Sequence, residues 1–74
     1  MQTVYYKDKV VGVYHDDLKL IEFDKTPEGK EAEAELLKGY SVYISSRGTG
    51  CIDKQGFVVP DQYPRTMEIR QYSC

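Results

Sequence analysis

The chain has 74 residues and a formal net charge of −2, and 41% of its residues are hydrophobic. A chain of this length holds one hydrophobic core, which excludes a second domain and predicts a single domain over residues 1–74. The negative net charge disfavours general nucleic-acid binding, and the apolar runs are far shorter than the roughly 20 residues that a membrane-spanning helix needs.

The first predicted elements are two strands joined by a tight turn. β-Branched and aromatic residues fill 3–6 and 10–14, and the polar residues 7–9 between them suit a hairpin loop. A third strand is predicted within residues 18–23, where the alternation of apolar residues changes phase at Ile21. His15 is predicted to lie in the turn before this strand, with its imidazole in water.

A helix is predicted after the third strand. Thr26 suits the N-cap, Pro27 the first helical position and Glu28 the positive end of the helix dipole. The helix is expected to run to Lys38 and to stop at Gly39, in the left-handed position that follows many helices.

The two sides of this helix differ in polarity. Ala32, Leu36 and Tyr40 recur every four residues, with Leu37 beside them, which predicts a buried face. The opposite side carries three carboxylates, here called the acidic ridge: Glu28, Glu31 and Glu35.

A fourth strand is predicted at residues 41–45, directly after the helix. Its residues alternate, so Val42 and Ile44 are predicted to face the core and Tyr43 to face the opposite side. The strand leads into SSRGTGCIDKQG at residues 45–56, which combines glycines with several chemically reactive side chains.

The glycines of that stretch predict turns rather than a phosphate site. The Gly-x-Gly at Gly48–Gly50 is followed by a strand instead of a helix, and no Gly-Lys-Ser/Thr is present. Gly56 suits a left-handed turn residue before a strand at 57–59, and a last strand is predicted at 66–72. The order ββ(β)αβββ predicts an α+β fold, with about five to six short antiparallel strands and a single helix packed on one face.

Catalysis has few candidate groups in this sequence. A nucleophile at Ser45, Ser46 or Cys51 would need a base, and His15 is the one histidine. So short a chain leaves little room for an active-site cleft beside its core. We therefore expect a non-enzymatic protein without a cofactor or a bound metal.

The cysteines bear on the cellular compartment. The amino terminus lacks the basic start and apolar stretch of a signal peptide, which favours the cytoplasm. There, Cys51 and Cys74 are expected to be free thiols, whereas in an oxidising compartment they are able to pair. Two cysteines and one histidine do not complete a four-ligand zinc site.

Tyrosine is the most unusual feature of the composition, with seven tyrosines and no tryptophan. Exposed tyrosine beside arginine is typical of protein interfaces. The alternative is that these rings only shield the face of the sheet that the helix leaves open.

These features favour a protein–protein interaction module. We expect a small inhibitor or adaptor, of the kind encoded by phages and mobile elements, that binds a host protein. The acidic helix is expected to meet a basic surface of that protein, and a tyrosine-bearing sheet face to supply contact area. The predicted interface residues are Glu28, Glu31, Glu35, Tyr43, Arg47 and Tyr72.

The alternative function is binding of a small anionic ligand, a nucleotide or a single-stranded nucleic acid. Residues 41–74 hold all three arginines and one lysine against three carboxylates, whereas residues 1–40 hold six lysines against nine carboxylates. Arginine binds phosphate, and tyrosine stacks on bases. The residues predicted for this site are Arg47, Tyr63, Arg65 and Arg70.

The oligomeric state is expected to be a monomer or a homodimer. An exposed strand edge is able to pair with its own copy, and the two edges considered are Thr3–Tyr6 and Thr66–Tyr72.

Overall fold

The computed structural model describes residues 2–58, 63 and 66–71. Six strands and one helix lie within these residues. Their bounds are β1 (Gln2–Tyr6), β2 (Lys9–His15), β3 (Leu20–Phe23), α1 (Pro27–Gly39), β4 (Ser41–Ile44), β5 (Thr49–Ile52) and β6 (Met67–Gln71).

The strands form one antiparallel sheet in the order β4-β5-β3-β2-β1-β6. The predicted α+β fold with a single helix is therefore confirmed. β1 lies between β2 and β6, so the expectation of an open edge at Thr3–Tyr6 is wrong: both sides of that strand are already paired. Within the described part of the chain, no helix is long and apolar enough to cross a membrane.

The core lies between α1 and one face of the sheet, here called the helix face. α1 packs on β2, β3 and β4, and its Ala32 and Leu36 are fully buried. Side chains alternate along each strand, so the neighbours of core residues point to the opposite, outer face. The sheet residues of the core cluster are Val4, Tyr6, Val11, Tyr14, Ile21, Cys51 and Met67.

The helix begins as predicted and ends differently. The Thr26 Oγ1 accepts a hydrogen bond from the Gly29 amide at 3.1 Å, which confirms the N-cap. Gly39 belongs to the helix, and its φ is not in the left-handed region. The chain instead leaves through Tyr40 in an extended conformation, because β4 starts at the next residue. Leu37 is 44% exposed rather than buried, since it lies about 100° around the helix from Leu36.

The second hairpin contains two further corrections. β3 begins only at Leu20, because residues 16–19 form a turn in which the Lys19 amide donates to the His15 carbonyl. His15 is the last residue of β2 instead of a turn residue, and its side chain is only 15% exposed. The predicted phase change is explained by this late start of the strand.

Ile44 is 73% exposed, so its predicted burial in the core is wrong, although it shares the helix face with Val42, which does pack against the core. α1 leads directly into the first residue of β4, and Ile44 lies at the other end of this outermost strand. The core does not extend that far. Gly50 is likewise not a turn residue, because it lies within β5 opposite Tyr43.

The region after β5 is only partly strand. Gly56 has a φ of 90°, which confirms the left-handed turn, and the Asp53 carboxylate accepts hydrogen bonds from two turn amides. The predicted strand at 57–59 is reduced to one bridge between Ile52 and Val58, and Val59 lies outside the described residues. The last predicted strand is present as β6, and its Met67 lies in the core.

The turn between β1 and β2 is a two-residue loop, and its backbone conformation leads us to predict a stabilising substitution. Lys7 and Asp8 have φ values of 51° and 65°, in the left-handed region that costs an L-residue about 1–2 kcal/mol. Asp8→Gly is therefore expected to raise the free energy of unfolding by about 1 kcal/mol, measured by urea denaturation. Asp16→Gly is the matched control: it lies in an exposed turn without a positive φ, and it should lower that energy instead. A shift of both variants in the same direction would contradict this explanation.

Candidate functional site

The acidic ridge is partly neutralised by two lysines of the β1–β2 hairpin. The Lys7 Nζ lies 3.3 Å from the Glu31 Oε1, and the Lys9 Nζ lies 3.8 Å from the Glu28 Oε1. The hydrogen bond and charge of Glu31 raise the pKa of Lys7. Two of the three predicted interface carboxylates therefore already have cationic neighbours, which weakens the attraction of the ridge for a basic partner.

Most of the described tyrosines belong to the helix side of the sheet. Tyr6 and Tyr14 are buried in the core, and Tyr40 packs against it. Tyr63 is half-buried and meets Tyr14 edge to face, with ring centroids 6.0 Å apart. Core packing thus accounts for much of the tyrosine enrichment. The outer face holds Tyr5 and Tyr43, and Tyr72 lies outside the described residues.

Tyr43 holds β4 and β5 to the turn before β3. Its hydroxyl lies 2.8 Å from the carbonyl oxygens of Leu18 and Lys19, so it donates a hydrogen bond shared between them. Its ring covers Gly50 on the neighbouring strand, where a Cβ would lie 2.6 Å from the hydroxyl. Burial, and to a smaller extent Cys51, raise the pKa of Tyr43. This predicted interface residue therefore has a structural role.

Arg70 is also engaged within the protein. Its Nε lies 2.7 Å from one oxygen of Glu68 and its second guanidinium nitrogen 2.7 Å from the other. The guanidinium carbon lies 4.5 Å from the centre of the Tyr5 ring, on the outer face. These hydrogen bonds lower the pKa of Glu68 and raise that of Arg70. An incoming anion would have to compete with a carboxylate that is already bound.

The described residues of the alternative ligand site lie far apart. Arg47 is exposed in the β4–β5 loop, at one end of the sheet, and Arg70 lies on β6 at the other. Five strand spacings of about 4.8 Å separate β4 from β6, or roughly 24 Å. Tyr63 packs on the helix face, opposite to Arg70. Arg65 lies outside the described residues, and the other three do not form one site.

The catalytic candidates are likewise separated. Cys51 is fully buried on the helix face, and burial raises its pKa to about 12. His15 pairs across the ladder with Leu20 on the outer face, and its Nε2 lies 3.0 Å from the Glu22 carboxylate. The Ser45 hydroxyl accepts hydrogen bonds from two amides of its own loop. Within the described residues, no group of three or more histidine, cysteine or acidic side chains is placed to hold a metal ion.

The structure describes one of the two cysteines, Cys51. Cys51 is a free thiol. The predicted alternative, a bond to Cys74, involves a residue outside the described part of the chain.

A site that the sequence analysis missed is the outer edge of β4, here called the free edge because no further strand among the described residues pairs with it. Backbone groups in an antiparallel pair point alternately toward and away from the neighbouring strand. The Ser45 amide donates to the Gly48 carbonyl, so the backbone groups of Tyr43, two residues earlier, also point toward β5. The amides and carbonyls of Val42 and Ile44 therefore point outward, away from the sheet. The outer edge of β4 thus presents four backbone groups beside the exposed Ile44 side chain.

The sequence does contain a signal for this edge. The longest run without a charged residue is Gly39–Ser46, and it includes the whole of β4. Strands at sheet edges are usually protected from pairing by charges, prolines or bulges. The other outer strand, β6, has such charges in Glu68 and Arg70.

No protein-family model, curated protein or solved structure matches this chain.

Proposed function

We propose that this protein is a non-enzymatic protein-binding module, which binds an extended segment of a protein partner along the outer edge of β4. The observation that carries this proposal is the unprotected edge itself: an uncharged outer strand with four outward backbone groups and an isoleucine that is 73% exposed. A peptide that adds a strand gains main-chain hydrogen bonds, and alternate side-chain contacts give it specificity.

The energies favour β4 over the other candidate surfaces. Full burial of an isoleucine side chain stabilises a complex by about 1.5–3 kcal/mol, and most of Ile44 is available for such burial. Two of the three carboxylates of the acidic ridge are instead already paired with Lys7 and Lys9, and exposed ion pairs contribute little. An inhibitor or adaptor of a host protein in the cytoplasm is the biological setting that we propose for the module as a whole.

The test compares two lysine substitutions of exposed apolar residues. Ile44→Lys places a charge at the free edge. Val10→Lys places a charge on β2, a strand paired on both sides, at a side chain that is 52% exposed. We expect Ile44→Lys to weaken the affinity for a captured partner at least tenfold, because a desolvated charge opposes strand addition. Affinity is measured by titration of the purified partner, and Val10→Lys should leave it unchanged.

A second variant separates the edge from the helix. Replacing the acidic ridge, Glu28, Glu31 and Glu35, with lysine reverses its charge and leaves β4 intact. Binding that survives Ile44→Lys but is lost in this triple variant would refute the proposal in favour of the acidic helix. Loss of binding in Ile44→Lys alone supports the edge.

A further inference from the structure

We infer that the partner of the β4 edge is a second copy of this chain, and that the two β4 strands pair antiparallel around a two-fold axis at Tyr43. This inference rests on the proposed function, since it requires β4 to accept an added strand. An antiparallel pair of identical strands is self-complementary, so it closes as a dimer and joins the two sheets into one.

The outward backbone groups determine the register of this pair. Hydrogen bonds between the copies must join Val42 and Ile44, because Tyr43 already directs its backbone groups to β5. This condition is met when Val42 of one copy lies opposite Ile44 of the other. The two-fold axis then places Ile44 of the first copy opposite Val42 of the second. The pair then has four hydrogen bonds, and the two Tyr43 residues face each other in the non-hydrogen-bonded position.

The side chains fit the same register. Val42 and Ile44 both point to the helix face, so the exposed Ile44 of each copy comes to lie against Val42 of the other. A shift of one residue would place Ile44 opposite Tyr43, whose side chain points to the other face. A shift of two residues would place Ile44 opposite either Tyr40 or the second Ile44. The remaining pairs would then involve Tyr40 or Ser46, which lie outside the strand, so β4 alone would supply fewer hydrogen bonds.

The charge pattern favours a second copy over an unlike partner. Residues 39–46 hold no charge, so two copies of this run meet without like-charge repulsion, and the edge has no charge by which to select a different protein. Four residues per strand bury less than the roughly 1,000 Å² of a strong interface. We therefore expect a weak dimer, with a dissociation constant of about 10–100 µM.

The first experiment measures mass against concentration by sedimentation equilibrium between about 5 µM and about 500 µM. The wild-type chain should pass from monomer to dimer over this range. Ile44→Lys should weaken the dimer at least tenfold, and the matched variant Val10→Lys should leave its dissociation constant unchanged.

The second experiment tests the register by disulfide cross-linking, with Cys74→Ser in every variant. The two Tyr43 Cα atoms should lie about 4.5 Å apart, within the range that a disulfide spans. Tyr43→Cys should therefore form a covalent dimer on oxidation. Ser41→Cys is the control, because the two copies of position 41 lie four residues apart along the strand, about 14 Å, and should stay unlinked.

Amide exchange tests the pairing without a substitution of Tyr43, whose hydroxyl also forms hydrogen bonds to the turn before β3. Hydrogen exchange of the Val42 and Ile44 amides, followed by NMR in the wild-type chain, should slow at least tenfold as the dimer forms. Unchanged exchange at these two amides would overturn the inference even if dimers are seen.

The outcomes for the inference and for the proposed function are distinct. A chain that stays monomeric at about 500 µM, and whose Ile44→Lys variant still loses a captured partner, overturns the homodimer and keeps the proposed function. A dimer that Ile44→Lys does not weaken, or that cross-links through Ser41→Cys, overturns the inferred antiparallel pair around Tyr43. If partner binding also survives Ile44→Lys, both proposals fail.

Discussion

Gly48→Ala is expected to lower the free energy of unfolding by about 3 kcal/mol, near the upper end of what overpacking costs. A Cβ at this position would overlap the carbonyl oxygen of Ile21 and lie 2.6 Å from its carbonyl carbon. Backbone atoms in the middle of a sheet are unable to rotate away as a side chain does. Either β5 or β3 must therefore shift.

The shift would act where the sheet is weakest. Among the described residues, Ile21–Thr49 is the one ladder pair between β3 and β5, and it joins the β4–β5 hairpin to the rest of the sheet. Thr49 and Cys51 are buried next to this contact, so displacement of β5 also opens the core. Loss of this contact is the reason to expect a larger cost than for an ordinary surface substitution.

Gly39→Ala is the matched control for this substitution. An added Cβ there meets nothing within 4 Å, and the residue is helical. Alanine should raise the free energy of unfolding by about 0.5 kcal/mol, because it loses less backbone entropy than glycine. Urea denaturation followed by circular dichroism measures both variants, and a Gly48→Ala protein as stable as the wild type would show that the close approach of the two strands is not required.

The free energy of unfolding is expected to fall steeply above pH 9 because of Cys51. Burial raises its pKa from the ordinary value of 9.0 to about 12 in the folded state. Between these values the unfolded chain loses the thiol proton while the folded chain keeps it. The stabilisation from this group is thus complete below pH 9. Between pH 9 and pH 12 the free energy of unfolding falls by at most about 1.4 kcal/mol per pH unit, which amounts to a loss of about 2 kcal/mol at pH 10.5.

Cys51→Ala isolates this contribution, with Cys74→Ser in both proteins. The alanine variant starts less stable, since it leaves a small cavity, but its free energy of unfolding should change less between pH 9 and pH 11. Lys7, whose pKa is also raised, titrates in both proteins and cancels in the comparison, whereas Tyr43 cancels except for the smaller part of its raised pKa that Cys51 causes. Equal pH slopes in the two proteins would mean that Cys51 is not the group responsible.

Features with local causes were predicted from the sequence alone. The Thr26 cap, the helix that follows it and the left-handed Gly56 each depend on residues only a few positions apart. The α+β class follows from the same local patterns, because one amphipathic helix among alternating strands has few ways to bury its apolar face.

Features that depend on distant pairing were decided only by the tertiary structure. Pairing with β6 places β1 inside the sheet and leaves β4 at its edge, so Ile44 is exposed although its strand alternates like a buried one. The same packing takes most tyrosines into or against the core and sets Lys7 beside Glu31. Alternation along a strand specifies which side chains share a face, but only the packing of α1 determines which face is covered, and only the order of the strands determines which edge is open.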